Sequence, residues 1–208
     1  VSYLGFNSTT GMRAMDWHIT DAITDPPGIA DPLYSERLLR VARCQWCYAP
    51  PAGPLPGTFP AQPGAITFGS FNQFGKITPQ AMRLWARILN DVPGSRLLIR
   101  GAPRAAQQDA TLAVLAQDGV HPDRVLLLGR LPDEQYWLAY QGADIALDTY
   151  PYNGVTTTCE SLWMELPVVT LAGHYGGARC AASILSAAGL PELVATSEDE
   201  YVHIAVDL

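Results

Sequence analysis

Lysine is almost missing from this chain. Of its 13 basic residues only Lys76 is a lysine, so a lone ammonium in a glycine-flanked loop marks a position that resisted an arginine bias. Positive charge is scarce altogether: the formal net charge is −7, which argues against a nucleic-acid or anionic-membrane surface. No apolar run approaches membrane-spanning length, and no signal peptide opens the chain. The four cysteines include one Cys44/Cys47 pair, but Cys159 and Cys180 stand apart, so a zinc site lacks its second pair. They read as structural thiols in a reducing compartment. There is no Asp-x-Asp pair of the kind that holds a metal against a nucleotide-sugar diphosphate, and no Rossmann glycine fingerprint. Gly69 to Lys76 imitates a phosphate-binding P-loop with one residue too many between the glycines. Ile77 stands where a magnesium-holding hydroxyl belongs, which excludes a P-loop nucleotide hydrolase.

What is present is enough apolar residue to fold. A hydrophobic share of 48% against 16% charged suits a globular core, and 208 residues make one large domain, or one domain and part of another. Residues 1–57 carry many turn signals: a strand end at Tyr3 to Phe6, a polar glycine loop at Asn7 to Gly11, a short strand over Asp16 to Asp21, and a brief helical turn over Ser35 to Leu39. Six prolines between Pro50 and Pro63 then suggest an interdomain linker.

From Ala65 the pattern becomes regular. Strands are expected at 66–71, 96–100, 125–128, 145–147 and 168–171. Helices are expected from the Thr78 cap and Pro79, with Met82, Trp85, Leu89 and Val92 on one face; over 104–118, ended by Gly119; over 132–141; over 157–164; over 178–188; and after a capping box at Ser197 to Glu200, with Tyr201, Ile204 and Leu208 inward. Five alternations with continuous apolar strands predict an α/β fold with a doubly wound, Rossmann-like parallel sheet. Ligands of such sheets bind at the strands' carboxyl ends. The loops at Asn72 to Lys76, Gly101 to Pro103, Arg130 to Pro132, Thr149 to Thr157 and Gly173 to Gly177 then share one edge. The stretch from Asp148 to Glu160 is the richest of them: strand, turn at Pro151 and Asn153-Gly154, then a hydroxyl-rich helix start. There, free amides and the positive dipole end can hold a phosphate, and Glu160 lies one turn further in, placed for a sugar diol.

These motifs also resemble a known family. Phe68 to Ile77, Leu147 to Thr149, Asn153 to Thr157 with Glu160, Pro167 to Leu171, and Ala178-Arg179 are similar to the catalytic region of O-linked N-acetylglucosamine transferases and SPINDLY-type proteins, as are Leu4 to Phe6, Met15-Asp16 and Tyr34 to Glu36. The resemblance implies an inverting, metal-independent protein glycosyltransferase of the GT-B fold. It would move N-acetylglucosamine from UDP-GlcNAc to Ser or Thr hydroxyls with no cofactor. Residues 1–57 would be the end of the acceptor-side lobe and 58–208 the nucleotide-sugar lobe. By position, Gln73 and Lys76 would face the diphosphate, with Lys76 as the catalytic residue stabilising the departing UDP. Thr156 and Thr157 would bind phosphate, and Glu160 the ribose. Leu131 would meet the base through its backbone, Tyr136 would lie at the nucleoside, and Tyr152 and Gly5 would border the sugar. The implied partners are a nucleotide-sugar donor and a protein or peptide acceptor, with no nucleic acid and no membrane, in the cytoplasm. Upstream tetratricopeptide repeats, and a general base before Val1, are expected, the chain being a piece of a longer protein. Asp133, Tyr136 and Val155 depart from the animal pattern, leaving GDP-fucose or UDP-glucose as alternative donors and a non-catalytic nucleotide-binding scaffold as the rival of another class. Of the histidines, His174 is the one expected on the active edge.

Overall fold

A computed structural model describes residues 1–5, 7–50, 64–101 and 104–208, without the side chains of residues 133 and 134. The linker expected between Pro50 and Pro63 falls almost wholly outside the described residues, as do Phe6 of the first expected strand and Ala102 and Pro103 of one edge loop.

The larger unit is a six-stranded sheet in which every pair is parallel. Its strands are β3 (Thr67–Ser70), β4 (Arg96–Arg100), β5 (Val125–Leu128), β6 (Ile145–Leu147), β7 (Val168–Leu171) and β8 (Val194–Ala195), in spatial order β5-β4-β3-β6-β7-β8. Between them run α1 (Pro79–Asp91), α2 (Ala105–Gln117), α3 (Asp133–Gln141), α4 (Thr156–Trp163) and α5 (Cys180–Ala188), with α6 (Glu198–Asp207) last. Side chains of a strand alternate between faces, and the two faces here are both apolar. Leu97, Ile99, Ile145, Leu147 and Val169 meet α1 and α6. Leu98, Ala146 and Val168 meet Ala139 and Tyr140 of α3 and Leu185 of α5 on the other side. That two-sided burial is why the strands read as uninterrupted apolar runs.

Helix starts follow the expected chemistry at two places. Thr78 Oγ1 accepts from the Ala81 amide at 3.1 Å and donates to the Tyr150 carbonyl at 2.7 Å, tying the start of α1 to the loop after β6. Ser197 caps α6, accepting from the Glu200 amide, while the Glu200 carboxylate returns to the Thr196 amide and hydroxyl. The buried residues of α6 are Tyr201, Val202 and Ala205; Leu208, expected inward, is exposed. Leu208 lies past Asp207, the last helical residue, and so is not held on the buried face of α6.

Strand order reverses between β3 and β6. A crevice opens at such a switch point at the carboxyl ends of the strands, and here Asn72, two residues beyond β3, and Asp148, one residue beyond β6, are joined by a 3.1 Å hydrogen bond.

The smaller unit is a two-stranded parallel ribbon, β1 (Trp17–Asp21) with β2 (Arg37–Val41), in register from Trp17–Arg37 to Asp21–Val41. The helical turn expected over Ser35 to Leu39 is therefore strand from Arg37. Pairing to β1, a tertiary event, overrides the local pattern. Tyr3 to Gly5 form no strand; only Ser2 bridges to His18. Ser183 Oγ donates to Asp21 at 2.7 Å, and Arg179 Nε donates to the Ile23 carbonyl at 2.7 Å, fastening the ribbon to α5. Among the described residues no helix is long and apolar enough to cross a membrane.

Candidate active site

One cavity of about 490 Å³ opens at the switch point. Gln73, Lys76, Tyr136, Tyr152, Thr156, Thr157 and Glu160 line it from the large unit, and Gly5 from the small one. The structure thus brings together eight of the nine residues singled out from the sequence. Leu131 is the exception: it is half-buried, packs against the core beside α3, and is not among the lining residues. His174 is exposed and likewise outside the lining. His18 is a buried histidine accounted for by the Ser2 hydroxyl at 2.6 Å, and burial holds its pKa below the ordinary value against the pull of Asp25 and Glu36.

The positive side of the cavity is built by Lys76 and the start of α4. Lys76 ends a 3-10 turn over Phe74–Lys76 that follows β3. Its Nζ donates to the Asn153 carbonyl at 2.9 Å and lies 4.5 Å from the Tyr152 ring centroid, a cation–π contact. Burial lowers the Lys76 pKa, and the Asp148 charge opposes that fall. No side chain caps α4, whose preceding residue is Val155. Thr156 is its exposed first residue, inside the helix and not its cap. The first amides of a helix have no intrahelical acceptor, and together with the dipole they favour an anion.

Asp148 organises the loop between those two features. Its Oδ1 accepts from Asn72 Nδ2, from the Thr149 amide at 2.9 Å and from the Gly154 amide at 2.8 Å, while Oδ2 accepts from the Thr170 hydroxyl at 2.7 Å. Asn72 Oδ1 in turn accepts from the Thr157 hydroxyl at 2.8 Å. Burial raises the Asp148 pKa to about 6, with the Thr170 hydroxyl and the two amides pulling it back. Gly154 is required by this closeness: a Cβ there would run into the Thr157 hydroxyl and stand 2.8 Å from Asn72 Oδ1.

Sequence and structural relatives settle the family. The glycosyl transferase family 41 model matches residues 58–208. This chain belongs to that family. It is 43% identical over its whole length to the probable UDP-N-acetylglucosamine–peptide N-acetylglucosaminyltransferases SPINDLY of Solanum lycopersicum and Arabidopsis thaliana. It is 31% identical to the protein SEC of Arabidopsis thaliana, again over the whole chain and 22% of that relative. A mutant of the Thermobaculum terrenum O-GlcNAc transferase superposes with a TM-score of 0.91 at 41% identity, over 99% of this chain and 39% of that one. The chain spans 23% of the length of the two SPINDLY relatives. The fold expected from the sequence, an α/β doubly wound parallel sheet of the GT-B kind, is the one found.

Several residues of this cavity and its support were not singled out from the sequence. Asn72 stands two residues past the end of β3 and Asp148 one past the end of β6, and that position alone, at the carboxyl edge, was the available signal. Trp46, Asn7, Leu4 and Val155 also line the cavity. Trp46 sits inside the Cys44/Cys47 segment, whose spacing signals thiol chemistry and not an aromatic wall; all four cysteines are free. Asn7 reaches across to donate to the Tyr152 hydroxyl at 2.8 Å, a contact between residues 145 positions apart that no local pattern reports.

Proposed function

We propose that this chain is the nucleotide-sugar half of a protein O-glycosyltransferase that moves N-acetylglucosamine from UDP to Ser or Thr hydroxyls, with inversion at the anomeric carbon and without a divalent cation. The observation that carries the reading is one cavity, at the switch point of the sheet, lined by Lys76, the α4 start with Thr156 and Thr157, and Glu160. The names of the 43%-identical relatives supply the donor and the peptide acceptor. In this reading, residues 1–57 end the acceptor-side lobe and residues 58–208 bind the donor.

The chemistry follows from where charge develops. The acceptor hydroxyl gives up its proton to a base of the intact protein as its oxygen bonds to the anomeric carbon from the face opposite the diphosphate. The bond from that carbon to the phosphate oxygen breaks, and its electron pair leaves on UDP. A fixed ammonium and a row of helix amides stabilise that new charge at no cost of reorganisation, worth ~3–4 kcal/mol per well-placed donor in comparable oxyanion sites. Lys76 and Gln73 serve the diphosphate, Thr156 and Thr157 bring the amides, Glu160 and Tyr136 hold the nucleoside, and Tyr152 with Gly5 bounds the sugar. The lowered pKa of Lys76 fits a cation held partly desolvated for a dianionic partner. Four free cysteines suit a cytoplasmic setting. Turnover of the intact protein on an acceptor peptide tests the reading: UDP-N-acetylglucosamine outperforms UDP-glucose and GDP-fucose, and chelation of divalent metals leaves the rate unchanged. Preference for another donor, or loss of activity on chelation, would overturn it.

A further inference from the structure

Glu160 is not a free carboxylate waiting at the cavity wall. Two phenols hold one of its oxygens. The Tyr136 hydroxyl donates to Glu160 Oε2, and the Tyr140 hydroxyl reaches the same oxygen at 2.9 Å. The two phenol oxygens lie 2.9 Å from each other, and the rings meet edge to face at 89°. Both phenols have pKa values raised by burial, so both keep the proton they donate.

The clamp is itself held rigid. Tyr140 is buried and stacks on Phe71 with centroids 3.9 Å apart. The Arg100 guanidinium, at the carboxyl end of β4, lies 4.3 Å from the Tyr136 ring centroid. A cation on one face, and Trp137 edge-on at 5.2 Å, leave that ring little freedom. Glu160 Oε1 carries no hydrogen bond from a described residue, while Glu160 and Tyr136 both line the cavity.

We infer that Tyr140, acting with Tyr136, is a positioning residue for donor selectivity: the pair occupies one oxygen of Glu160 and fixes the other as the acceptor of a ribose hydroxyl. The site thereby selects ribonucleoside diphosphates over their deoxy counterparts. This rests on the donor reading of the cavity given above. The physical reason is preorganisation. A carboxylate free to rotate loses conformational entropy on binding, whereas one already pinned by two donors loses little. A nucleotide lacking the hydroxyl leaves Oε1, the oxygen the phenols do not occupy, without a partner in a partly desolvated wall, which is costlier than losing the bond alone.

The test is calorimetric titration of the intact protein with UDP and with 2′,3′-dideoxy-UDP, and with the matching guanosine pair in parallel. Wild type should favour the ribonucleotide by about 10- to 100-fold, the scale of a hydrogen bond to a charged group. Tyr140→Phe, which keeps the ring stacked on Phe71, should reduce that preference about three- to tenfold while leaving affinity for the dideoxy compound unchanged. If this variant fails to fold, Tyr136→Phe at the cavity wall reads the same ratio. Equal weakening of both nucleotides, an unchanged ratio, or a wild type that binds UDP without preferring it would overturn the inference and leave the proposed function standing. A wild type that binds neither UDP nor GDP would overturn both.

Discussion

Replacing Asp148 by Asn should make the chain more stable at neutral pH, not less. The carboxyl is buried, and its pKa is raised from 3.8 to about 6 by that burial, with hydrogen bonds from Thr170, Gly154 and Thr149 and the charge of Lys76 opposing. A group whose folded pKa lies above its unfolded value contributes stability below the unfolded pKa and loses it as pH rises through the folded one. At ~1.4 kcal/mol per pH unit, the gap from 3.8 to about 6 means that ionised Asp148 costs ~3 kcal/mol at pH 7.5. Asn is nearly isosteric. Its oxygen can still accept from the Thr149 and Gly154 amides, and its amide can donate to the Thr170 hydroxyl. Part of the gain is offset because the Lys76 ammonium loses the negative neighbour that sustains its charge. The absolute gain is therefore less telling than its pH dependence. In urea titrations at pH 4.0 and 7.5, the difference in unfolding free energy between Asp148→Asn and wild type should shift by ~2–3 kcal/mol in favour of the variant at the higher pH. A difference that stays flat between those pH values, or a variant that loses stability as pH rises, would refute the linkage argument.

Two further substitutions probe the same loop and the core beneath it. Gly154→Ala sets a methyl against the Thr157 hydroxyl and Asn72, so it should lower unfolding free energy by ~1–3 kcal/mol and weaken UDP binding by displacing the start of α4; normal affinity in calorimetry would show that the loop yields freely. Tyr201→Phe removes the hydroxyl that donates to the Asp148 carbonyl at 3.0 Å and accepts from Trp85 Nε1 at 3.2 Å. With Trp85 and Tyr201 both buried, thermal unfolding should report a loss of ~1–3 kcal/mol, and UDP affinity should stay within about twofold; an unchanged melting temperature would contradict the assignment of that pair as a buried strut.

What could be read in advance depended on how local the cause was. The strands at 96–100, 145–147 and 168–171 carry their own evidence, because a strand buried on both faces must be apolar throughout. Thr78-Pro79 and Ser197 announce helix starts by capping chemistry confined to four residues. β2 misled because Leu38-Leu39 between charges suits a helical turn as well as a strand, and only its pairing with β1, about 20 positions upstream, decides. β8 has two residues and no periodicity to detect. Within the site, residues whose side chains suit an anion or a sugar stood out: Lys76, the paired threonines, Glu160. Those that hold them in place did not. Asp148, Asn72 and the Tyr140 hydroxyl act through other residues, and such a role exists only once the fold brings positions 72, 148 and 157, or 136, 140 and 160, into contact.

In the proposed function a lone ammonium and an amide-lined helix start grip one diphosphate. Calorimetric titration of UDP into wild type and into Lys76→Ala measures that grip most directly. Loss of a buried charge-assisted contact should weaken binding by about 10- to 100-fold in the variant, whereas equal affinity in the two proteins would contradict the central claim.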